Sequence, residues 1–211
     1  MTKLYIISPP KIDSSFRKLL ESALSTRKVS CFQLRLKDLP EQEITKYCRE
    51  FSKICHDNGT VFLLNDYLNI AREVQIDGIH LGKDDDNIKK TRKEFGDDFI
   101  IGASCYNSKH LAMENAENGA SYLSFGAFFP SPTKKNTVRV SADLISWCLD
   151  YINIPCAVIG GITITNCKEV IKLKPDFLCS ISSIWNHTTS PKHAILEFQE
   201  IIDREKSQKF A

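Results

Sequence analysis

From Cys156 to Ile181 the chain reads CAVIGGITITNCKEVIKLKPDFLCSI, two short apolar runs with an amphipathic segment between them. The runs are Cys156-Ala157-Val158-Ile159 and Phe177-Leu178-Cys179-Ser180-Ile181, and neither alternates apolar with polar residues as a strand with one wet face does. Thr165–Lys172 between them repeats at the helical period. Strands apolar on both faces, joined by a helix, belong to a parallel sheet covered by helices.

Outward from this unit the alternation continues. Further strands are read at Leu4–Ile7, Cys31–Arg35, Val61–Leu64, Gly78–Leu81, Phe99–Gly102 and Tyr122–Gly126, which with the first two makes eight. The helical patterns are Ser14–Ser25, Glu41–Asp57, Tyr67–Val74, Asn87–Phe95, Ser108–Asn118, Ser141–Tyr151, Thr165–Lys172 and Pro191–Arg204. Asn87 and Ser108 suit N-caps, Pro191 suits a first helical position, and Gly59, Gly96 and Gly119 suit helix ends. Eight strand–helix units form either a TIM (β/α)8 barrel or an open doubly wound sheet. No G-x-G-x-x-G follows the first strand, which weighs against the dinucleotide-binding form of the open sheet. The 211 residues suffice for one barrel, and no composition shift or long linker divides them, so residues 1–211 are expected to be a single α/β barrel domain.

Composition narrows the function classes. The 28 basic and 26 acidic residues leave a net charge of +2, no electrostatic case for nucleic acid or an anionic membrane. No apolar run is long enough for a membrane span, and Met1–Ile7 lacks the pattern of a signal peptide, so a cytoplasmic location is expected. The eight cysteines include no C-x-x-C pair and lie in apolar segments, as reduced core thiols do. His80 falls within a strand, while His56, His110, His187 and His193 fall near helix ends or the surface. Trp147 and Trp185 read as packing groups.

The polar residues that interrupt the pattern gather at the C-terminal ends of the strands. Gln33, Arg35 and Lys37 end the second strand, Asn65 and Asp66 the third, and Asp84, Asp85 and Asp86 follow the fourth. Ser104 ends the fifth, Ser131-Pro132-Thr133-Lys134 follows the sixth, Gly160-Gly161 ends the seventh and Ser182-Ser183 the eighth. In a parallel barrel these ends share one rim, where active sites of this fold are built. Arg35 and Lys37, two apart on a strand, point the same way and suit a polyanion. Asp66 and Asp85 come from neighbouring loops, and two carboxylates that leave room for water and phosphate oxygens suit Mg2+. Gly160-Gly161 with Ser182-Ser183 would admit a phosphate after strands seven and eight.

Gln33-Leu34-Arg35-Leu36-Lys37, Asn65-Asp66, His80-Leu81-Gly82-Lys83-Asp84-Asp85, Phe129-Pro130-Ser131-Pro132-Thr133-Lys134 and Gly160-Gly161-Ile162-Thr163 resemble, in order, the motifs of thiamine phosphate synthases. Ser8-Pro9-Pro10, Ser108–Met113 and Trp185-Asn186-His187 further resemble the alphaproteobacterial branch. The resemblance implies a transferase that joins hydroxymethylpyrimidine diphosphate to a thiazole phosphate and releases pyrophosphate. It implies that Gln33, Arg35, Lys37, Asn65, Ser104 and Lys134 hold the pyrimidine diphosphate, with Arg35, Lys37, Ser104 and Lys134 as the catalytic set. Asp66 and Asp85 would bind Mg2+, and Ser131, Thr133, Gly161, Ile181 and Ser182 would contact the thiazole phosphate. The partners implied are these small molecules, with a homo-oligomer left open. Lys83 stands where the family usually has Gln, Tyr106 where it often has His, and Ser131-Pro132-Thr133 replaces Thr-x-Thr. Three other readings compete: a thiazole tautomerase of the same superfamily, a binder of thiamine precursors without turnover, and another phosphate-binding barrel isomerase or lyase, which would need no diphosphate substrate. The tautomerase's catalytic His would fall at Tyr106, a poor base near neutral pH.

Overall fold

A computed structural model describes residues 1–83, 85–130 and 139–207. Eight parallel strands, paired in chain order and closed by the first against the last, form a barrel. They are β1 (Lys3–Ile7), β2 (Val29–Leu34), β3 (Val61–Asn65), β4 (Gly78–Leu81), β5 (Ile100–Tyr106), β6 (Tyr122–Phe125), β7 (Cys156–Ile159) and β8 (Phe177–Ser180). Outside lie α1 (Phe16–Leu24), α2 (Glu41–Asp57), α3 (Leu68–Glu73), α4 (Ile88–Phe95), α5 (Lys109–Glu117), α6 (Ala142–Tyr151), α7 (Cys167–Leu173), the short α8 (Ser182–Trp185) and α9 (Pro191–Ser207). Closure settles the choice left by the sequence in favour of the barrel over the open sheet.

The double apolar character of the strands comes from two cores. Outward residues such as Ile6, Phe32, Leu64, Ile79 and Val158 meet the helices. Burial of each such side chain contributes roughly 1.5–3 kcal/mol. In α2, Ile44, Cys48, Phe51 and Cys55 recur every three or four residues and supply one buried stripe, while Glu41 and Glu43 complement the positive end of the helix dipole. Inward residues, among them Tyr5, Leu63, Tyr122, Ala157 and Cys179, fill the lower half of the barrel as a second, smaller core.

Space for that inner core is made by a glycine. A Cβ on Gly102 would lie 2.2 Å from Cζ of Tyr122, so the absence of a side chain there lets the Tyr122 ring cross the barrel. Asn87 and Ser108 cap α4 and α5 by accepting from the backbone N–H of Lys90 and Leu111. All eight cysteines are buried and free. Trp185 packs 4.7 Å from Phe16 and donates its indole N–H to the Ile7 carbonyl at 2.6 Å.

Many element ends shift by one to three residues from the sequence reading, and two differences are larger. Strand five runs to Tyr106 rather than Gly102, so Ser104 lies within β5. A one-turn helix, α8, also precedes α9, and four residues give too short a period to read. Among the described residues no helix is long and apolar enough to cross a membrane.

Candidate active site

At the C-terminal ends of the strands the barrel opens into a cavity of about 440 Å³. Gln33, Arg35, Lys37, Asn65, Asp66 and Asp85 line one side, and Ser104, Gly161, Ile181 and Ser182 continue the wall. Every sequence-designated site residue within the described segments is therefore on one cavity. Ser131, Thr133 and Lys134, like Asp84, lie outside the described residues.

β2 enters this cavity by period two. Phe32 and Leu34 face the helices, which leaves Gln33 and Arg35 inward. Gln33 is buried and donates from Nε2 to Oδ1 of Asn65 at 3.1 Å, across the β2–β3 pair. The Arg35 backbone is held on both sides by Ser8, whose Oγ accepts from Arg35 N at 2.9 Å and donates to Arg35 O at 3.4 Å. Its guanidinium has no carboxylate within 4.0 Å among the described residues, and Arg35 lines the cavity.

The acidic pair is built differently. Asp66 follows β3 with φ +71°, a left-handed conformation that Asp tolerates better than most residues, and its N–H donates to the His80 carbonyl at 3.0 Å. Its carboxylate lies 3.2 Å from Lys37 Nζ. Burial first, then the neighbouring Asp85 carboxyl, push Asp66 up to about 6, against the opposing pull of Lys37. Asp85 accepts the Gly82 N–H at 2.5 Å, which folds the β4–α4 loop back toward the rim. At the other end of the barrel, Asp77 accepts the Phe62 N–H at 2.7 Å and Asp176 the Cys156 N–H at 2.8 Å, so those acids serve the backbone.

Opposite the acids, Gly160 (φ +108°) and Gly161 (φ +63°) turn the chain out of β7. A Cβ on Gly161 would meet the Pro130 carbonyl oxygen at 2.4 Å, and one on Gly160 would meet Ala127 Cα at 2.5 Å. The Gly-Gly turn is thus pressed onto the segment after β6, to which it is tied by Phe128 N–H donating to Ile159 O (3.0 Å) and Phe129 N–H to Gly160 O (2.9 Å). Ser182 begins α8 directly after Ile181. A glycine turn after strand seven and a short extra helix after strand eight make the usual phosphate corner of this fold.

Sequence reasoning placed His80 on a strand but missed what surrounds it. His80 Nε2 is 2.9 Å from Ser104 Oγ, and His80 Nδ1 is 2.8 Å from Tyr122 Oη, itself 2.8 Å from Tyr5 Oη. The available signal was the inward register of Tyr5, His80 and Tyr122, each on the same strand face as a residue of the rim. Burial holds the imidazole down to about 4, overcoming the opposite effect of Asp85, while Arg35 adds to the lowering. An unfolded chain protonates this ring below about 6.5, whereas the folded protein resists until about 4. Stability from this group is therefore complete above that window and is lost as pH falls through it, by about 3 kcal/mol in all. Urea unfolding of wild type and His80→Gln at about pH 7.5 and about pH 5 checks this, with the wild-type advantage shrinking at the lower pH. An unchanged gap would show that His80 is not held neutral.

The profile of the thiamine monophosphate synthase family matches residues 4–184 of the chain. The chain belongs to this family. Among the family's members, the thiamine-phosphate synthase of Rhodospirillum centenum is 35% identical over 201 residues, covering 95% of this chain and 97% of that one. That of Hyphomonas neptunium is 38% identical over 208 residues, covering 96% and 94%. The structure of thiamine phosphate pyrophosphorylase from Pyrococcus furiosus superposes with a TM-score of 0.84 at 27% identity, over 96% of each chain. Family membership joins the site's motifs to one barrel, and both cited sequence relatives span nearly its whole length.

Proposed function

We propose that this protein is a thiamine phosphate synthase, which joins hydroxymethylpyrimidine diphosphate to thiazole phosphate and releases pyrophosphate. The observation that carries the reading is the division of the cavity. Arg35, Lys37 and the Asp66–Asp85 pair occupy one wall, and the Gly160-Gly161 turn with Ser182 the other, as two anionic substrates require.

The donor set fits Mg2+. Asp66 is raised toward neutrality by burial first and then by the neighbouring Asp85 carboxyl, so the pair would gain from binding a divalent cation, whose oxygen shell a diphosphate would help complete. Asp66 and Asp85 would hold Mg2+, which would supply charge neutralisation for the departing pyrophosphate. Arg35 and Lys37 add fixed positive charge at the same group, joined in this proposal by Lys134. Departure of pyrophosphate leaves a pyrimidinylmethyl cation, and the thiazole nitrogen adds to it. Neither step calls for a strong base, and the site's groups accord with that. His80 is held neutral by burial and already engaged, and the Tyr106 hydroxyl accepts the Lys83 N–H at 3.5 Å. Gln33 and Asn65, locked to each other, offer amide groups for the pyrimidine edge.

Incubation with both substrates and Mg2+, followed by chromatography, tests the reading. Thiamine phosphate and pyrophosphate appear in equal amounts. A tautomerase would change the thiazole phosphate alone, and a binder would release no pyrophosphate. Either result from folded protein overturns the proposal.

A further inference from the structure

The polar chain inside the barrel has a direction, and that direction reaches the reacting groups. It runs from Tyr5 Oη through Tyr122 Oη and the His80 ring to Ser104 Oγ. Tyr5, Tyr122 and His80 are buried, and Ser104 is half-buried on the cavity wall. A neutral imidazole carries one proton, so one ring nitrogen donates and the other accepts.

Only two arrangements satisfy the chain. In one, Tyr5 donates to Tyr122, Tyr122 donates to His80 Nδ1, and His80 Nε2–H donates to Ser104 Oγ. The Ser104 proton is then free to point into the cavity. In the other every bond reverses: Ser104 donates to Nε2, Nδ1–H donates to Tyr122, and Tyr122 donates to Tyr5. The buried Tyr5 hydroxyl is then left without an oxygen acceptor for its proton among the described residues. The first arrangement gives the Tyr5 proton an oxygen acceptor at 2.8 Å, and is the more stable of the two. Gly102 belongs to the same device, since any side chain there would displace the Tyr122 ring.

We propose that Tyr122, directed by Tyr5, is a positioning residue that fixes His80 as its Nε2–H tautomer and so makes the Ser104 hydroxyl a donor toward the departing diphosphate oxygen. This rests on the synthase reading for the identity of the acceptor, but not for the tautomer. A donor aimed at an oxygen that gains negative charge counts for more in the transition state than in the bound substrate. Its loss therefore lowers kcat and leaves KM for the diphosphate nearly unchanged.

The first measurement is the nitrogen NMR spectrum of protein carrying isotope-labelled histidine, with the His80 signals assigned by their loss in His80→Gln. A bare Nδ1 and a protonated Nε2 are expected in wild type, and a mixture of tautomers in Tyr122→Phe. In the synthase assay Tyr122→Phe lowers kcat about 5- to 10-fold. On a Ser104→Ala background the same substitution has no further effect, because the hydroxyl it directs is gone. A wild-type Nδ1–H tautomer overturns the proposal, as does an equal loss from Tyr122→Phe in both backgrounds. Should Tyr122→Phe fail to fold, the wild-type tautomer still decides. A wild type that forms no thiamine phosphate defeats the synthase reading while leaving the tautomer measurement intact.

Discussion

Asp66→Asn and Asp85→Asn each lower the rate of Mg2+-dependent pyrophosphate release about a thousandfold or more. Asparagine keeps the size of the side chain and tolerates the left-handed backbone at Asp66, so the fold is preserved while the charge is removed. At position 85 the amide oxygen can still accept the Gly82 N–H, which keeps the loop in place. What each variant loses is one of the two carboxylates that would hold the metal in the proposed site. In Asp66→Asn, Lys37 also loses its partner at 3.2 Å and is left to bind the diphosphate alone, so substrate can still bind while ionisation fails. Chelation of the metal from wild type produces the same loss, and added Mg2+ restores it. Variants that keep their rate to within about tenfold would show that the acidic pair is not the metal site.

Removal of the Arg35 guanidinium has the next largest effect. Arg35→Ala lowers kcat by about 100- to 1,000-fold, the range typical for loss of one preorganised group that stabilises transition-state charge. Arg35→Lys keeps the charge but loses the planar fork, and falls between the two. The backbone at this position is set by Ser8 and not by the side chain, so the alanine variant keeps its strand register. Guanidinium ion added to Arg35→Ala restores part of the rate, which a collapsed site would not allow. A rise in KM with kcat unchanged would mean that Arg35 holds the substrate without assisting departure.

The barrel and its rim were legible in the sequence for a definite reason. Strands such as Cys156–Ile159 are covered on both faces, so they read as short unbroken apolar runs, and any polar residue ending one stands out. Arg35, Asp66 and Ser104 were found in that way. Closure of the sheet was not readable, because an open sheet and a barrel ask the same pattern of each strand. The Tyr5–Tyr122–His80 chain was hidden for the opposite reason. Tyrosine and histidine within an apolar strand look like ordinary core aromatics, and only the register across three strands, with Gly102 making room, shows their hydroxyl and ring nitrogens meeting. The role of Ser8 was hidden as well, because its bond to Arg35 joins residues brought together by the β1–β2 pairing.

Tyr5, Tyr122 and Phe177 close the lower barrel with edge-to-face rings about 6 Å apart. Among the described residues these rings plug the barrel floor, and the cavity opens at the opposite, C-terminal end of the strands. Gln33 lies one pleat deeper along β2 than Arg35, so in the proposed reaction a ring resting on Gln33 would arrive before anything that covers it. It would also depart after the group nearer the rim has left. In the proposed synthase, queueing would thus follow from the shape of the container, before any difference in affinity is considered.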